Sequence, residues 1–118
     1  MGKAAEVAEA FSRHRFSEAY EALAEDVRWV AIGGSVTTGR PAVIDICEST
    51  LRELTGTVVD FRRFLVVDGG DTVAVDSVAR YVDGRGETAQ VASCDIYEFR
   101  ADRITTITSY AVELAPTG

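Results

Sequence analysis

The chain has 118 residues, of which 12 are Lys or Arg and 19 are Asp or Glu, so its net charge is −7. This length suits one domain with a single core, and the negative charge disfavours contact with phosphate backbones. No apolar run is long enough to cross a bilayer, and the N-terminal residues lack the apolar stretch of a secretory signal. We therefore expect one cytoplasmic domain over residues 1–118, without membrane or nucleic-acid partners.

The first half of the chain is dominated by helical periodicity. Apolar side chains recur every three to four positions in residues 3–14 and again from residue 16 to residue 23, which predicts two short helices. Residues 26–31 alternate between apolar and polar side chains and are followed by two glycines, so we predict a short strand there. Pro41 favours the start of a third helix, and Gly56 marks its end.

From Thr57 onward the apolar period changes to two, which is typical of strands. We predict strands over residues 57–67, 72–82, 88–100 and 103–112, the first three joined by Asp-Gly turns. The element order is then α-α-β-α-β-β-β-β. This order predicts an α+β fold in which N-terminal helices pack on a curved, mainly antiparallel sheet to form a cone. The open end of such a cone is a natural small-molecule pocket.

Metal-ligating residue types are scarce in this sequence. Cys47 and Cys94 are far apart and match no zinc-binding spacing, and His14 is the single histidine. We therefore expect free thiols and neither a metal nor a cofactor. His14 lies at the end of a predicted helix, where a charged imidazole would be stabilised by the helix dipole, so we interpret it as a helix cap.

Asp95 is the candidate catalytic residue because it interrupts a strand whose alternating pattern otherwise predicts burial. It shares a face with Ser93 and Tyr97, and a buried carboxylate is costly unless it is paired or put to use. We predict a pocket acid whose pKa is raised by an apolar cavity; the alternative is a structural carboxylate bonded to backbone N–H groups or to an arginine. Asp76 shares a face with Arg80, which favours a salt-bridged outer surface. If Asp76 points inward instead, it would pair with Asp95 to supply an acid and a base.

The candidate ligand contacts are side chains with rings or polar tips near the predicted cone mouth or on the sheet. They are Tyr20, Trp29, Phe61, Arg63, Ser93, Tyr97 and Tyr110. For Tyr20 and Trp29 the alternative is a position in the core. Arg63 belongs to this set if the face that it shares with Phe61 by strict alternation turns inward; otherwise its stem packs and its head reaches solvent. The opposite face of the 88–100 strand is also largely apolar, which predicts that a second copy of the chain covers it in a homodimer.

Two segments, LAEDVRWVAIGGSVTTGRPAV and CDIYEFRADRITTITSY, together with the element order, resemble the nuclear transport factor 2-like superfamily. Within it, the chain is most similar to SnoaL-like polyketide cyclases and ketosteroid isomerases. The resemblance implies that Asp95 takes the place of an acid/base aspartate of the cyclases and of a protonated aspartate of the isomerases. It also places Ala31 where the isomerases keep their base and Val7 near the position of their oxyanion-hole tyrosine, which argues against ketosteroid isomerase activity.

Two other activities of the superfamily lack their residues in this chain. The Arg-x-Asp arrangement of limonene epoxide hydrolase-like members is absent from VAVDSVARYV, and the paired histidines of scytalone dehydratase-like members cannot come from His14 alone.

Two functions remain open from the sequence. The first is a cofactor-independent enzyme that isomerises, cyclises or dehydrates a small hydrophobic carbonyl or polyketide-like substrate, with Asp95 moving the proton. The second is a non-catalytic module in which the same cone binds a hydrophobic ligand or the sheet mediates dimerisation. An inward carboxylate beside a second proton-handling group would favour the enzyme. A carboxylate satisfied by structural partners, with no cavity beside it, would favour the module.

Overall fold

The computed structural model describes residues 2–115, which form two α-helices, one 3₁₀ helix and six strands. The helical elements are α1 (Lys3–Ser12), the 3₁₀ helix (Phe16–Ala22) and α2 (Arg40–Glu53). The strands are β1 (Leu23–Ala31), β2 (Val36–Thr38), β3 (Val58–Asp68), β4 (Thr72–Val82), β5 (Thr88–Arg100) and β6 (Arg103–Leu114).

The six strands form one curved sheet in the order β2-β1-β6-β5-β4-β3. Only β1 and β6 pair in parallel, and the other four pairings are antiparallel. The helices cover one face of this sheet, α1 against β3, β4 and β5 and α2 against β1 and β2. The predicted α+β fold, with helices on a mainly antiparallel sheet, is confirmed.

The core lies between the helices and the inward face of the sheet. Phe11 of α1 makes edge-to-face contacts with Phe16, Trp29 and Tyr97, at ring-centroid distances of 4.9, 5.1 and 5.8 Å. Aromatic pairs in this arrangement gain energy beyond the burial of their area. These contacts fix the C-terminal end of α1 against β1 and β5, the two strands that flank β6.

The structure differs from the sequence prediction in several elements, and the bounds of β3 and β6 differ by one or two residues. The second helix is a 3₁₀ helix, β1 begins at Leu23 rather than at residue 26, and the short strand β2 was not predicted. β2 pairs with β1 over three residues only, from Val36 to Thr38. Three residues are too few to show an alternating pattern, so periodicity does not detect such a strand.

A β-bulge in β3 changes which side chains face the core. Phe61 lies opposite Ala79 while Arg63 lies opposite Val78, so β3 has one extra residue between these two pairs. An extra residue reverses the alternation beyond it. The prediction that Arg63 shares the face of Phe61 is therefore wrong.

Within the described part of the chain, no helix combines the length and the apolar character needed to span a membrane.

Candidate active site

Asp95 lies on the inward face of β5 and contributes to the wall of a cavity of about 230 Å³. The cavity is bounded by the end of α1, by α2 and by the inward face of the sheet. Its walls include the rings of Phe11, Trp29, Phe61 and Tyr81. A carboxyl group in such a place meets both apolar surface and a space that a small molecule can fill.

Two hydrogen-bonded chains end on the Asp95 carboxylate. Ser109 donates its hydroxyl to Oδ1 at 2.7 Å, and Trp29 donates its indole N–H to the Ser109 Oγ at 2.9 Å. Ser12 donates to Oδ2 at 2.9 Å, and its Oγ lies 2.6 Å from the hydroxyl of Tyr97. Because the hydrogen of Ser12 goes to the carboxylate, Tyr97 must donate to Ser12. Each carboxylate oxygen thus accepts one hydroxyl and keeps a further lone pair for a ligand.

The electrostatics of the cavity act on Asp95 in opposite directions. Burial is the largest effect and raises the pKa of the Asp95 carboxyl, while the hydroxyls of Ser109 and Ser12 and the nearby His14 oppose this rise. The pKa of His14 is lowered by burial and partly restored by the charge of Asp95. The two groups therefore have pKa values displaced toward each other, which suits proton exchange with a shared ligand.

His14 lies just after the end of α1, and its ring lines the cavity. His14 has a φ of 66°, in the left-handed region, and its N–H donates to the Phe11 carbonyl at 3.1 Å as α1 ends. Its ring lies 5.6 Å from that of Phe16 and 5.9 Å from that of Phe61, measured between centroids. Burial disfavours the charged imidazole that the position at a helix end predicts, so His14 ends the helix through its backbone and not through a cationic side chain.

Several predicted site residues come together at the cavity. Trp29, Phe61 and Ser93 line it beside Asp95. Tyr97 is completely buried beneath it and contributes its hydroxyl to the chain through Ser12 instead of forming a wall. Their roles in binding or catalysis stay predictions.

Three other predicted ligand contacts lie outside the cavity. Tyr20 donates its hydroxyl to Glu48 at 2.6 Å, on an exposed part of α2. Arg63 donates to Asp76 at 2.9 Å on the outer face of the sheet, as expected from the bulge. Tyr110 is 46% exposed and stands opposite Cys94, whose side chain alternates with that of Asp95.

The position of Asp76 settles the question of a carboxylate pair. It lies on the outer face with Arg63, so it does not pair with Asp95, and the acid and base of any mechanism must come from elsewhere. The outer-face interpretation of Asp76 is confirmed, with Arg63 and not Arg80 as its partner.

Sequence reasoning missed several residues that surround the carboxyl. They are Ser12, His14, Ser77, Tyr81 and Ser109. Ser77 and Ser109 could have been found from alternation, since both occupy inward positions of predicted strands. Ser12 and His14 carry no such signal, because their approach to Asp95 depends on how α1 docks.

A larger groove, of about 820 Å³, lies at the opposite end of the sheet between α1, the 3₁₀ helix and the β5–β6 turn. Its two arginines, Arg40 and Arg103, donate to the backbone carbonyls of Tyr20 and Glu21, so these cations stabilise the fold. We place the candidate site in the smaller cavity because that cavity contains the Asp95 carboxyl and His14.

Cysteine and metal chemistry add little to this picture. Among residues 2–115, no group of three or more His, Cys, Asp or Glu side chains is arranged to hold a metal ion. Cys47 and Cys94 are free thiols, and burial raises the pKa of Cys47 to about 12.

Helices packed on one face of a curved six-stranded sheet define a protein of the NTF2-like fold. The family model of the SnoaL-like domain matches residues 4–107, so the chain belongs to the SnoaL-like domain family. No curated protein matches its sequence.

Solved structures agree with this assignment. An NTF2-like protein of unknown function from Cytophaga hutchinsonii is 34% identical, with 91% of this chain and 94% of that chain covered and a TM-score of 0.79. A protein from Xanthomonas campestris pv. campestris that is named as a polyketide cyclase is 24% identical, with 91% and 88% covered and a TM-score of 0.70. TerC, co-crystallised with polyporic acid, is 23% identical, with 91% and 87% covered and a TM-score of 0.65. The last two similarities show the fold alone.

Proposed function

We propose that this chain is a cofactor-independent enzyme that performs acid/base chemistry on a small hydrophobic carbonyl or polyketide-like substrate in the cone cavity. One observation carries the proposal: the Asp95 carboxyl faces a cavity that it shares with His14. A carboxyl with a raised pKa can hold a proton at a pH where exposed carboxyls are ionised, and it can then give that proton to a carbonyl oxygen.

The residues around Asp95 would have different roles in a proton transfer. The hydroxyls of Ser12 and Ser109 hold the carboxylate in one orientation at the cavity wall. His14, kept neutral by burial, is the second group that can accept or supply a proton. Isomerisation, cyclisation and dehydration each remove a proton at one atom of the substrate and deliver one at another, which is the chemistry that such a pair can support.

Deuterium exchange tests this proposal without knowledge of the natural substrate. Small cyclic ketones and diketones would be incubated with the protein in D₂O, and loss of the α-proton signal would be followed by NMR. We expect exchange above the buffer rate with the wild type, and a loss of at least about 100-fold of this catalysis in Asp95→Asn. Asp76→Asn is the matched control, because it removes a carboxylate from the outer face of the same sheet. Exchange that is equal in the wild type and in Asp95→Asn would contradict the proposal.

A second function, ligand binding without catalysis, is supported by a different observation. Both oxygens of Asp95 already accept hydroxyls from Ser12 and Ser109, as expected for a structural carboxylate. A module of this kind would bind a ring compound in the cavity, but the exchange rate would stay at the buffer value. The D₂O experiment combined with a binding measurement therefore separates the two functions.

We also propose that two copies of the chain associate through the outer face of the sheet. This face carries the exposed apolar side chains of Leu65, Val67, Tyr110, Val112 and Leu114, at exposed fractions from 39% to 63%. An apolar patch of this kind on a sheet is a typical protein–protein surface, and a twofold axis would pair it with itself.

Light scattering with a matched pair of variants tests the dimer. We expect the wild type to have twice the mass of the chain at micromolar concentration and Val112→Glu to have the mass of one chain. Leu51→Glu, which places the same charge on the exposed side of α2, should keep the dimer mass. A monomeric wild type would contradict this proposal.

A cytoplasmic location stays a prediction from the sequence.

A further inference from the structure

The dimensions and walls of the cavity restrict the substrate. Its volume of about 230 Å³ is below the range of about 300–1,000 Å³ that is typical of pockets for drug-sized ligands. Rings make up a large part of its walls, among them those of Phe11, His14, Trp29 and Tyr81. Rings pack best against other flat groups, in offset or edge-to-face contact, so the walls favour a planar ring. The volume leaves no room for a skeleton of four fused rings.

Two hydroxyls in the cavity do not take part in the hydrogen bonds to Asp95. Ser77 and Ser93 lie directly opposite each other on β4 and β5, and both line the cavity. Ser77 is only 5% exposed. Neither hydroxyl belongs to the chains that end on Asp95, and within residues 2–115 neither has a hydrogen-bonding partner. No buried side-chain polar atom of residues 2–115 lacks a partner, so the two hydroxyls reach the accessible space of the cavity and can pair with a polar group of a ligand there.

The spacing of the polar groups along β5 indicates how a ligand would be oriented in the cavity. Ser93 precedes Asp95 by two residues on the same strand, which corresponds to about 6.6 Å along β5. This distance is comparable to the separation of substituents across a six-membered ring. No Lys or Arg of the described chain lines the cavity, so it holds no fixed positive charge for an anionic substituent.

We infer that the substrate is a neutral, planar, single-ring compound that carries oxygen substituents at opposite ends. Its carbonyl faces Asp95 and His14, and its second oxygen, a hydroxyl or another carbonyl, bonds to Ser77 and Ser93. This inference rests on the proposed function for the role of the carbonyl, while the size limit and the second polar contact follow from the cavity itself.

A set of three probes tests the inference by binding alone. 4-Hydroxyacetophenone has oxygens at both ends of one ring, acetophenone lacks the hydroxyl, and testosterone carries its carbonyl on a four-ring skeleton. Calorimetry or ligand-observed NMR should show that 4-hydroxyacetophenone binds the wild type about fivefold more tightly than acetophenone, the gain expected from one net hydrogen bond. Testosterone should show no binding in the cavity.

Variants locate the second contact. Ser77→Ala combined with Ser93→Ala should abolish the preference for the hydroxylated ring, and Ser93→Ala alone should reduce it if the double variant folds poorly. Ser35→Ala, an exposed serine in the turn before β2, is the matched control and should keep the preference. Failure of 4-hydroxyacetophenone to bind, equal affinity of the two ring compounds, an unchanged preference in the serine variants or binding of testosterone in the cavity would each overturn the inference.

The binding result and the exchange result are independent. If the serine-dependent preference is found but the Asp95-dependent exchange is not, the inferred ligand class stands and the proposed catalysis fails. If exchange depends on Asp95 but the probes show no preference, the catalysis stands and the inferred ligand class fails.

Discussion

Removing either hydroxyl that holds Asp95 should raise the pKa of its carboxyl further. Ser109 and Ser12 donate to the two oxygens at 2.7 and 2.9 Å, and both bonds oppose the rise that burial causes. A hydrogen bond to a charged group contributes about 1.5–3 kcal/mol. Because about 1.4 kcal/mol corresponds to a factor of ten in proton affinity, Ser109→Ala should make the carboxyl bind its proton at least about tenfold more tightly.

Carboxyl-carbon NMR titration measures this effect directly. Spectra of the wild type, Ser12→Ala and Ser109→Ala would be followed as a function of pH, with Asp95→Asn to assign the resonance and Ser35→Ala as the control for loss of an unrelated hydroxyl. Ser109→Ala should also lower the free energy of unfolding by about 1–3 kcal/mol, because the indole N–H of Trp29 loses its acceptor. An Asp95 pKa in both serine variants that equals or falls below the wild-type pKa would refute the assigned role of the hydroxyls.

Three further predictions concern the same network. In Asp95→Asn the pKa of His14 should fall, because the negative charge that partly offsets the effect of burial is lost. The chain has a single histidine, so its NMR titration is unambiguous. An unchanged His14 pKa would show that the two groups do not interact. The folded-state pKa of Asp95 lies above its unfolded value, so its contribution to stability is present below about pH 3.9 and is lost as pH rises through the folded-state pKa. Denaturant unfolding should therefore show Asp95→Asn gaining stability relative to the wild type as pH rises over that range, and the opposite trend would exclude a raised pKa. Tyr97→Phe should raise the pKa of Asp95 less than Ser12→Ala does, since Tyr97 acts through Ser12, and an equal or larger effect in the same titration would show a more direct contact.

The strands of the second half were predictable because their signal is local. β4 and β5 have the predicted bounds, Thr72–Val82 and Thr88–Arg100. Alternation along β5 also placed Ser93, Asp95 and Tyr97 on one face, where the structure has them. In a regular strand, side chains alternate between the two faces of the sheet. The face of each residue can therefore be predicted from the sequence by counting from its neighbours.

The face of Arg63 could not be obtained in the same way. Counting from Phe61 gives the wrong side because β3 has an extra residue between these positions, and that residue is identified only by its pairing with β4. The sequence FRRF fits a regular strand as well as it fits a bulged one. The exposed ion pair between Arg63 and Asp76 forms once both strands are in register.

The least predictable part of the site is the part that sets its chemistry. Ser12 is 83 residues from Asp95 in the sequence, and it reaches the carboxylate because Phe11, its neighbour, is packed against Trp29 and Tyr97. Those same two aromatic residues supply the outer donors of the chains that end on Asp95. Core packing and the hydrogen bonds to the carboxylate are therefore made by one set of side chains, so the orientation of Asp95 is fixed only when α1 docks on the sheet. A pattern in one strand can indicate a buried acid, but the groups that tune it are determined by the packing of the whole core.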